Sequence, residues 1–209
     1  MQKGSHQTEG LSLTAVVLAG GRASRMGGAD KGLNAFAGES LAARAVRRVA
    51  GSVGRVLVSA NRNLDRYAAL QVGVVQDVLP GFLGPLSGVH AAMTALEESE
   101  ADQAVFSLPC DCPFFPEDCA SRLKAALEAH PEAVCAVACA AGRRQPAFAL
   151  YRLRLRDELE RYLVGGGRRI GQFLREHKAL EVAFEDPDSF VNLNTPEELE
   201  AAQKKKESL

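Results

Sequence analysis

The stretch LTAVVLAGGRASRMGGADKG (13–32) decides how this chain is read. An apolar run ends at Ala19, and residues 19–32 then hold five glycines together with Arg22, Arg25, Asp30 and Lys31. Glycine lets the backbone reach positive φ and lie close to a ligand. Successive free N–H groups in such a loop form a nest for an anion. Arg25 offers a planar fork to phosphate oxygens, and Lys31 a compact point charge. In an open parallel sheet, ligands collect beyond the carboxyl ends of the strands. The stretch therefore predicts a first strand followed by a phosphate-binding loop. A mobile turn with surface charges is the plainer alternative, which two cations inside the glycine run disfavour. The chain lacks GxxxxGK[ST] and GxGxxG, which sets aside P-loop ATPases and GTPases and the dinucleotide fingerprint.

Outward from that loop, apolar segments alternate with amphipathic ones. Strands are expected at 13–19, 55–60, 73–77, 103–108 and 133–140, and helices at 40–53, 63–70, 85–98 and 116–130. The strands are continuous apolar runs, as a sheet covered on both faces requires. The expected fold is an α/β three-layer sandwich, with an open, mostly parallel sheet and helices on both faces. In the last third, 146–152 reads as a strand that reverses direction. Two helices broken by Gly165, Gly166 and Gly167 follow, then a strand at 179–184 and a helix over 195–206. Thr195 is that helix's expected N-cap, with Pro196 at the first helical position and Glu198 completing a capping box. Residues 1–11 read as a flexible polar tail and 12–209 as one domain, nucleotide-binding in its N-terminal part and acceptor-binding in its C-terminal third.

Bulk properties exclude several classes. The 209 residues are 46% hydrophobic and 24% charged, with a formal net charge of −1. No overall field draws the chain to nucleic acid or a membrane surface. The longest apolar run, AVCAVACAA (133–141), is about half the ~18 residues a membrane span needs. The polar N-terminus is not a signal peptide, and five cysteines without a CxxC favour reduced thiols and a cytoplasmic location.

If the loop holds a polyphosphate, a hard cation is needed to screen its charge, held by a carboxylate at a neighbouring strand end. Asp111 fits, since it follows QAVFSL directly in the stiff turn LPCDCPF. Asp77 also ends a strand, and alone reads equally as a turn residue capping its own backbone. Leu18, Ala19, Gly20 and Gly21 put exposed backbone where a base can approach. Asn61, which ends the next strand, carries both a donor and an acceptor; it reads as a base contact or as the N-cap of the helix that follows. His90 reads as a packing residue, and Cys110, Cys112, Cys135 and Cys139 as small core hydrophobes rather than zinc ligands.

LAGGRASRMGGADKG resembles the signature of sugar-phosphate-type nucleotidyltransferases, and more narrowly that of the molybdenum cofactor guanylyltransferases, which attach GMP to molybdopterin. The likeness extends through SANR (59–62), QD (76–77), GPLSG (84–88), PCDCPF (109–114), QPAFAL (145–150), GRRI (167–170) and FVNLNTPEEL (190–199). It implies a Rossmann-like nucleotidyltransferase fold. The likeness also implies that GTP is bound by Leu18, Ala19, Gly20, Gly21, Lys31, Asn61, Asp77 and Asp111, with Asp111 holding Mg²⁺ and Asp77 at the guanosine. Family members often carry a second Asn where this chain has Ser59. Related cytidylyltransferases commonly read Ala-Gly at 20–21, and the doubled glycine here is expected to admit a purine.

Arg25, Lys31 and Asp111 are the expected catalytic residues, and Gly84, Pro85, Gln145, Arg168, Asn192 and Asn194 the expected acceptor side. Arg143, Arg144 and Arg169 read either as acceptor contacts or as solvated turns. By the likeness the expected acceptor is molybdopterin or Mo-molybdopterin, whose phosphate is already anionic, so no general base is expected. The likeness also implies hand-over to other molybdenum cofactor biosynthesis proteins and to chaperones of target molybdoenzymes. Rival readings are a cytidylyl- or uridylyltransferase acting on a pterin, sugar or alcohol phosphate, and a non-catalytic GTP-binding adaptor in cofactor delivery.

Overall fold

The first strand, β1 (Ser12–Leu18), is buried along most of its length and pairs in parallel with two neighbours, β4 (Arg55–Ser59) and β6 (Gln103–Pro109). A computed structural model describes residues 10–20, 30–81, 83–96 and 102–207. Among these, seven strands form one sheet, completed by β5 (Gly73–Val75), β7 (Cys135–Ala140), β8 (Arg143–Arg152) and β9 (Leu180–Phe184). Their order is β5-β4-β1-β6-β8-β7-β9, and only β8 runs against its neighbours. The reversal expected at 146–152 is present, and the strand starts earlier, at Arg143.

The continuous apolar runs are explained by cover on both faces. Ala15 and Val17 of β1 pack on one side with α1 (Leu41–Ala50), α2 (Leu64–Ala68) and α4 (Cys119–Ala129). Val16 packs on the other with α3 (Pro85–Thr94), α5 (Arg156–Val164) and α6 (Ile170–Glu176). The closing helix, α7 (Pro196–Glu207), has the expected capping box. Glu198 N–H donates to Thr195 Oγ1 at 3.2 Å, and Thr195 N–H to Glu198 Oε2 at 3.2 Å.

Several boundaries differ from the sequence reading. The helix expected over 40–53 begins at Leu41, because Ser40 is its N-cap and accepts from the Ala43 N–H at 3.1 Å. The helix expected from 116 begins at Cys119. The expected pattern also omits a hairpin of β2 (Ala35–Phe36) and β3 (Glu39–Ser40). Ala37 and Gly38 both take positive φ in its turn, as tight hairpins require. Two-residue strands are too short to show a period. The hairpin nonetheless matters, because Phe36 joins Leu41, Leu193 and Leu199 in a small third core, with Phe114 packed against it. That core ties the hairpin to the chain around Asp111 and to α7.

Candidate active site

Since β1, β4, β5 and β6 are parallel, their carboxyl ends open on one edge, where the expected phosphate site should lie. Arg25 and Gly21 lie outside the described residues, as do residues 1–9 of the expected tail 1–11, whose last residue, Leu11, is instead buried and donates its N–H to Glu128 Oε1 at 3.0 Å. The chain returns at Asp30, and residues 31–33 form a single 3-10 turn. That turn delivers Lys31 across the edge to the end of β6. Its Nζ stands 3.5 Å from Asp111 Oδ2 and donates to Asn194 Oδ1 at 2.6 Å. Three expected site residues, from the loop after β1, the turn after β6 and the segment before α7, therefore meet.

Asp111 is held on its backbone side. Its carbonyl accepts from Leu193 N–H at 2.8 Å, and the neighbouring Cys110 N–H donates to the Leu18 carbonyl at 3.3 Å. The side chain is only 15% exposed. Burial pushes its carboxyl above the ordinary aspartate value, and Lys31 only partly offsets this. An acidic group so placed favours an added cation. Among the described residues, no group of three His, Cys, Asp or Glu side chains is placed to hold a metal ion. The site fits an ion such as Mg²⁺ that takes one carboxylate and completes its shell with water and phosphate oxygens.

Two buried or half-buried arginines of α1, which the sequence reading did not single out, fix the turn after Asp111. Arg44 Nε donates to the Pro113 carbonyl at 3.0 Å, and its guanidinium lies against the rings of Phe36 and Phe114. Arg48 Nη2 donates to the Phe115 carbonyl. The only signal for them is an amphipathic helix with arginines near its apolar face, which snorkelling surface residues share.

On the base side, Ala19 N–H donates to the Ser59 carbonyl at 3.0 Å, placing Gly20 beside the end of β4. An ideal Cβ on Gly20 would lie 3.5 Å from Asn61 Nδ2 and 3.6 Å from the Ser59 carbonyl, in ordinary contact, so the glycine lies against that amide. Asn61 Oδ1 accepts the Asp77 N–H at 2.9 Å. Its carbonyl is thus engaged, and no hydrogen bond of Nδ2 is seen among the described residues. The N-cap of α2 is Asn63, not Asn61. Ser59 is buried below α3, with its hydroxyl toward Gly88.

The acceptor candidates divide into two groups. Asn194 lies at Lys31, and Asn192 Oδ1 accepts from Cys112 Sγ at 2.8 Å, so both adjoin Asp111. On another flank, Gly84 holds φ +84° ahead of Pro85 at the first turn of α3, and the position of an added Cβ is 3.7 Å from the Arg168 carbonyl. Arg168 Nη1 donates to the Leu163 and Gly167 carbonyls at the end of α5, a capping role absent from the sequence reading. Gln145 sits near the start of β8, its Nε2 reaching the Arg143 carbonyl at 3.5 Å. Arg144 pairs with Glu181 at 2.6 Å.

His90 is buried against α5, 3.8 Å from Glu160, and burial lowers its pKa, consistent with a packing role. All five cysteines are free and buried.

Residues 15–181 match the family model of the MobA-like NTP transferase domain. The molybdenum cofactor guanylyltransferase of Polynucleobacter asymbioticus is 41% identical over 191 residues, which cover 90% of this chain and 94% of the relative. That of Haemophilus influenzae is 39% identical over 190 residues, covering 90% and 96%. The chain belongs to the molybdenum cofactor guanylyltransferase family. The fold agrees: molybdopterin-guanine dinucleotide biosynthesis protein A from Archaeoglobus fulgidus superposes with a TM-score of 0.72 at 22% identity, over 94% of this chain and all of that one. The 4-diphosphocytidyl-2C-methyl-D-erythritol synthase of Anaerococcus prevotii also superposes at 0.72, with 13% identity over 96% and 98%. The two superpositions show one shared scaffold. No described helix is long and apolar enough to cross a membrane.

Proposed function

We propose that this guanylyltransferase transfers GMP from GTP to the terminal phosphate of molybdopterin at the edge where Lys31, Asp111 and Asn194 meet. The observation that carries the reading is that convergence of a cation, a buried carboxylate and an amide from three distant segments.

In the reaction an oxygen of the acceptor phosphate attacks the α-phosphorus of GTP. A new P–O bond forms, the bond from the α-phosphorus to the bridging oxygen breaks, and pyrophosphate leaves with that electron pair. The nucleophile is already an anion, so positioning and charge compensation carry the catalysis. Lys31 neutralises charge on the phosphates as it develops, and Arg25 is assigned the same task. Asp111 holds Mg²⁺, which screens the triphosphate and draws electrons from phosphorus when bound. The backbone of Leu18, Ala19, Gly20 and Gly21 lies along the nucleotide. Asn61 presents its Nδ2 donor, complementary to the guanine carbonyl, and Asp77 contacts the guanosine.

Asn192 and Asn194 line the acceptor side next to Asp111, while Gly84, Pro85, Gln145 and Arg168 form its outer rim. The single domain divides accordingly, with the nucleotide on its N-terminal part and the acceptor on its C-terminal third. The protein works in the cytoplasm and passes its product to other cofactor-biosynthesis proteins and molybdoenzyme chaperones. Incubation with GTP labelled at the α-phosphate, Mg²⁺ and molybdopterin tests this: a product heavier than molybdopterin by one GMP unit is expected, with CTP a poor competitor. Preference for CTP would move the assignment to a cytidylyltransferase. Tight GTP binding without pyrophosphate release would make the chain an adaptor.

A further inference from the structure

Next to Lys31, the carboxylate of Asp30 is gripped from α2 on both of its oxygens. The hydroxyl of Tyr67 donates to Oδ1 at 2.6 Å, and Asn63 Nδ2 donates to Oδ2 at 3.0 Å. Tyr67 is fully buried, and Asn63 holds the left-handed conformation at φ +52°. Asp30 in turn starts the 3-10 turn, its carbonyl accepting Leu33 N–H at 3.0 Å. On the far side of Lys31, an ideal Cβ on Gly32 would lie 2.5 Å from the Tyr67 hydroxyl and 3.3 Å from the Ala19 side chain. The turn is thus pressed onto that hydroxyl with no room for a side chain, and Lys31 is fixed between two anchored neighbours.

We infer that Tyr67 and Asn63 are positioning residues for GMP transfer: by holding both carboxylate oxygens of Asp30, they aim Lys31 at the phosphate site. The inference rests on the reading of Lys31 as the phosphate-neutralising cation. Two physical effects follow from the grip. It fixes the direction of the turn, which a flexible lysine stem alone does not. It also engages an acidic group one residue from Lys31 with donors of its own, leaving the ammonium to Asp111 and Asn194. Burial, reinforced by the bond to Asp30, pushes the Tyr67 hydroxyl far above the ordinary tyrosine value. It therefore remains a donor at any working pH. None of this is visible in NLDRYAAL (63–70), which reads as an ordinary amphipathic segment.

A double-mutant cycle separates positioning from general stability. Tyr67→Phe keeps the ring and removes the hydroxyl. Asn63→Gly keeps access to the left-handed conformation and removes the amide, and it carries the cycle if Tyr67→Phe does not fold. Each is measured by pyrophosphate release with GTP, Mg²⁺ and molybdopterin, in the native and the Lys31→Ala backgrounds. In the native background kcat is expected to fall about tenfold, with the KM for GTP changing by less than about threefold. In the Lys31→Ala background the same substitution should change turnover by less than about twofold. An equal loss in both backgrounds, or no loss in the native one, overturns the inference. If Lys31→Ala alone turns over normally, the reading of Lys31 fails first, and the inference falls with it.

Discussion

The ammonium of Lys31 donates to Asn194 Oδ1 at 2.6 Å across a sequence separation of 163 residues. This contact joins the loop after the first strand to the segment before the last helix. The carboxylate of Asp111 stands 3.5 Å from the same ammonium. On the proposed roles, one cation serves both substrates.

Asp111→Asn is expected to abolish most transfer, by about a hundredfold or more, because a neutral amide holds Mg²⁺ poorly. The same change should leave the melting temperature equal or higher. Burial raises the carboxyl pKa in the folded state, so the fold favours the neutral form at this position. Calorimetry beside the pyrophosphate assay checks both halves. A lower melting temperature with activity retained would show that Asp111 is structural.

Gly88 of the GPLSG segment has a packing role. An ideal Cβ there would lie 2.4 Å from Ser59 Oγ and 2.8 Å from Leu18 Cδ2, so α3 rests directly on the strand ends beside the site. Gly88→Ala should destabilise the protein by ~1–3 kcal/mol through overpacking. Adding Ser59→Gly should recover part of that loss, since it removes the hydroxyl that the methyl group meets. Urea unfolding of the single and double variants measures the recovery, and strict additivity would contradict this packing.

Glu39 gives a pH signature of the hairpin that supports the Asp111 turn. A hydrogen bond from Arg47 at 2.6 Å, with the charges of Arg47 and Arg44, holds its carboxyl below the ordinary glutamate value despite partial burial. A carboxyl with a lowered folded-state pKa binds more protons when unfolded. Its stabilisation is therefore full above the unfolded value of about 4.3 and fades as the pH drops toward the folded one. Glu39→Gln should lose ~1 kcal/mol at neutral pH, at the low end for a charge-assisted bond because the pair is partly exposed. The gap from the native protein should close below about pH 4. A gap that stays constant from pH 7 to pH 3 contradicts the assignment.

The strand-end aspartates stand out in the sequence because each directly follows a strong apolar run. Asp111 is legible this way, whereas Asn192 and Asn194 stand out through family likeness; the structure brings the three together. Arg44, Tyr67 and Asn63 were not legible. Each acts on a residue more than thirty positions away, through bonds that leave no local period. Asn61 lay between: its strand-end position was clear, but only the Asp77 N–H fixes which way its amide points. Arg168 shows the converse, since a conspicuous arginine after three glycines donates to the Leu163 carbonyl in the last turn of a helix.

The most direct measurement compares the native protein with Lys31→Ala, using GTP labelled at the α-phosphate, Mg²⁺ and molybdopterin, with product mass as the readout and circular dichroism as the control for folding. The account predicts a GMP adduct of molybdopterin from the native protein. It also predicts a loss of about a hundredfold or more in turnover for Lys31→Ala with its fold intact. Equal adduct formation by both proteins would contradict it.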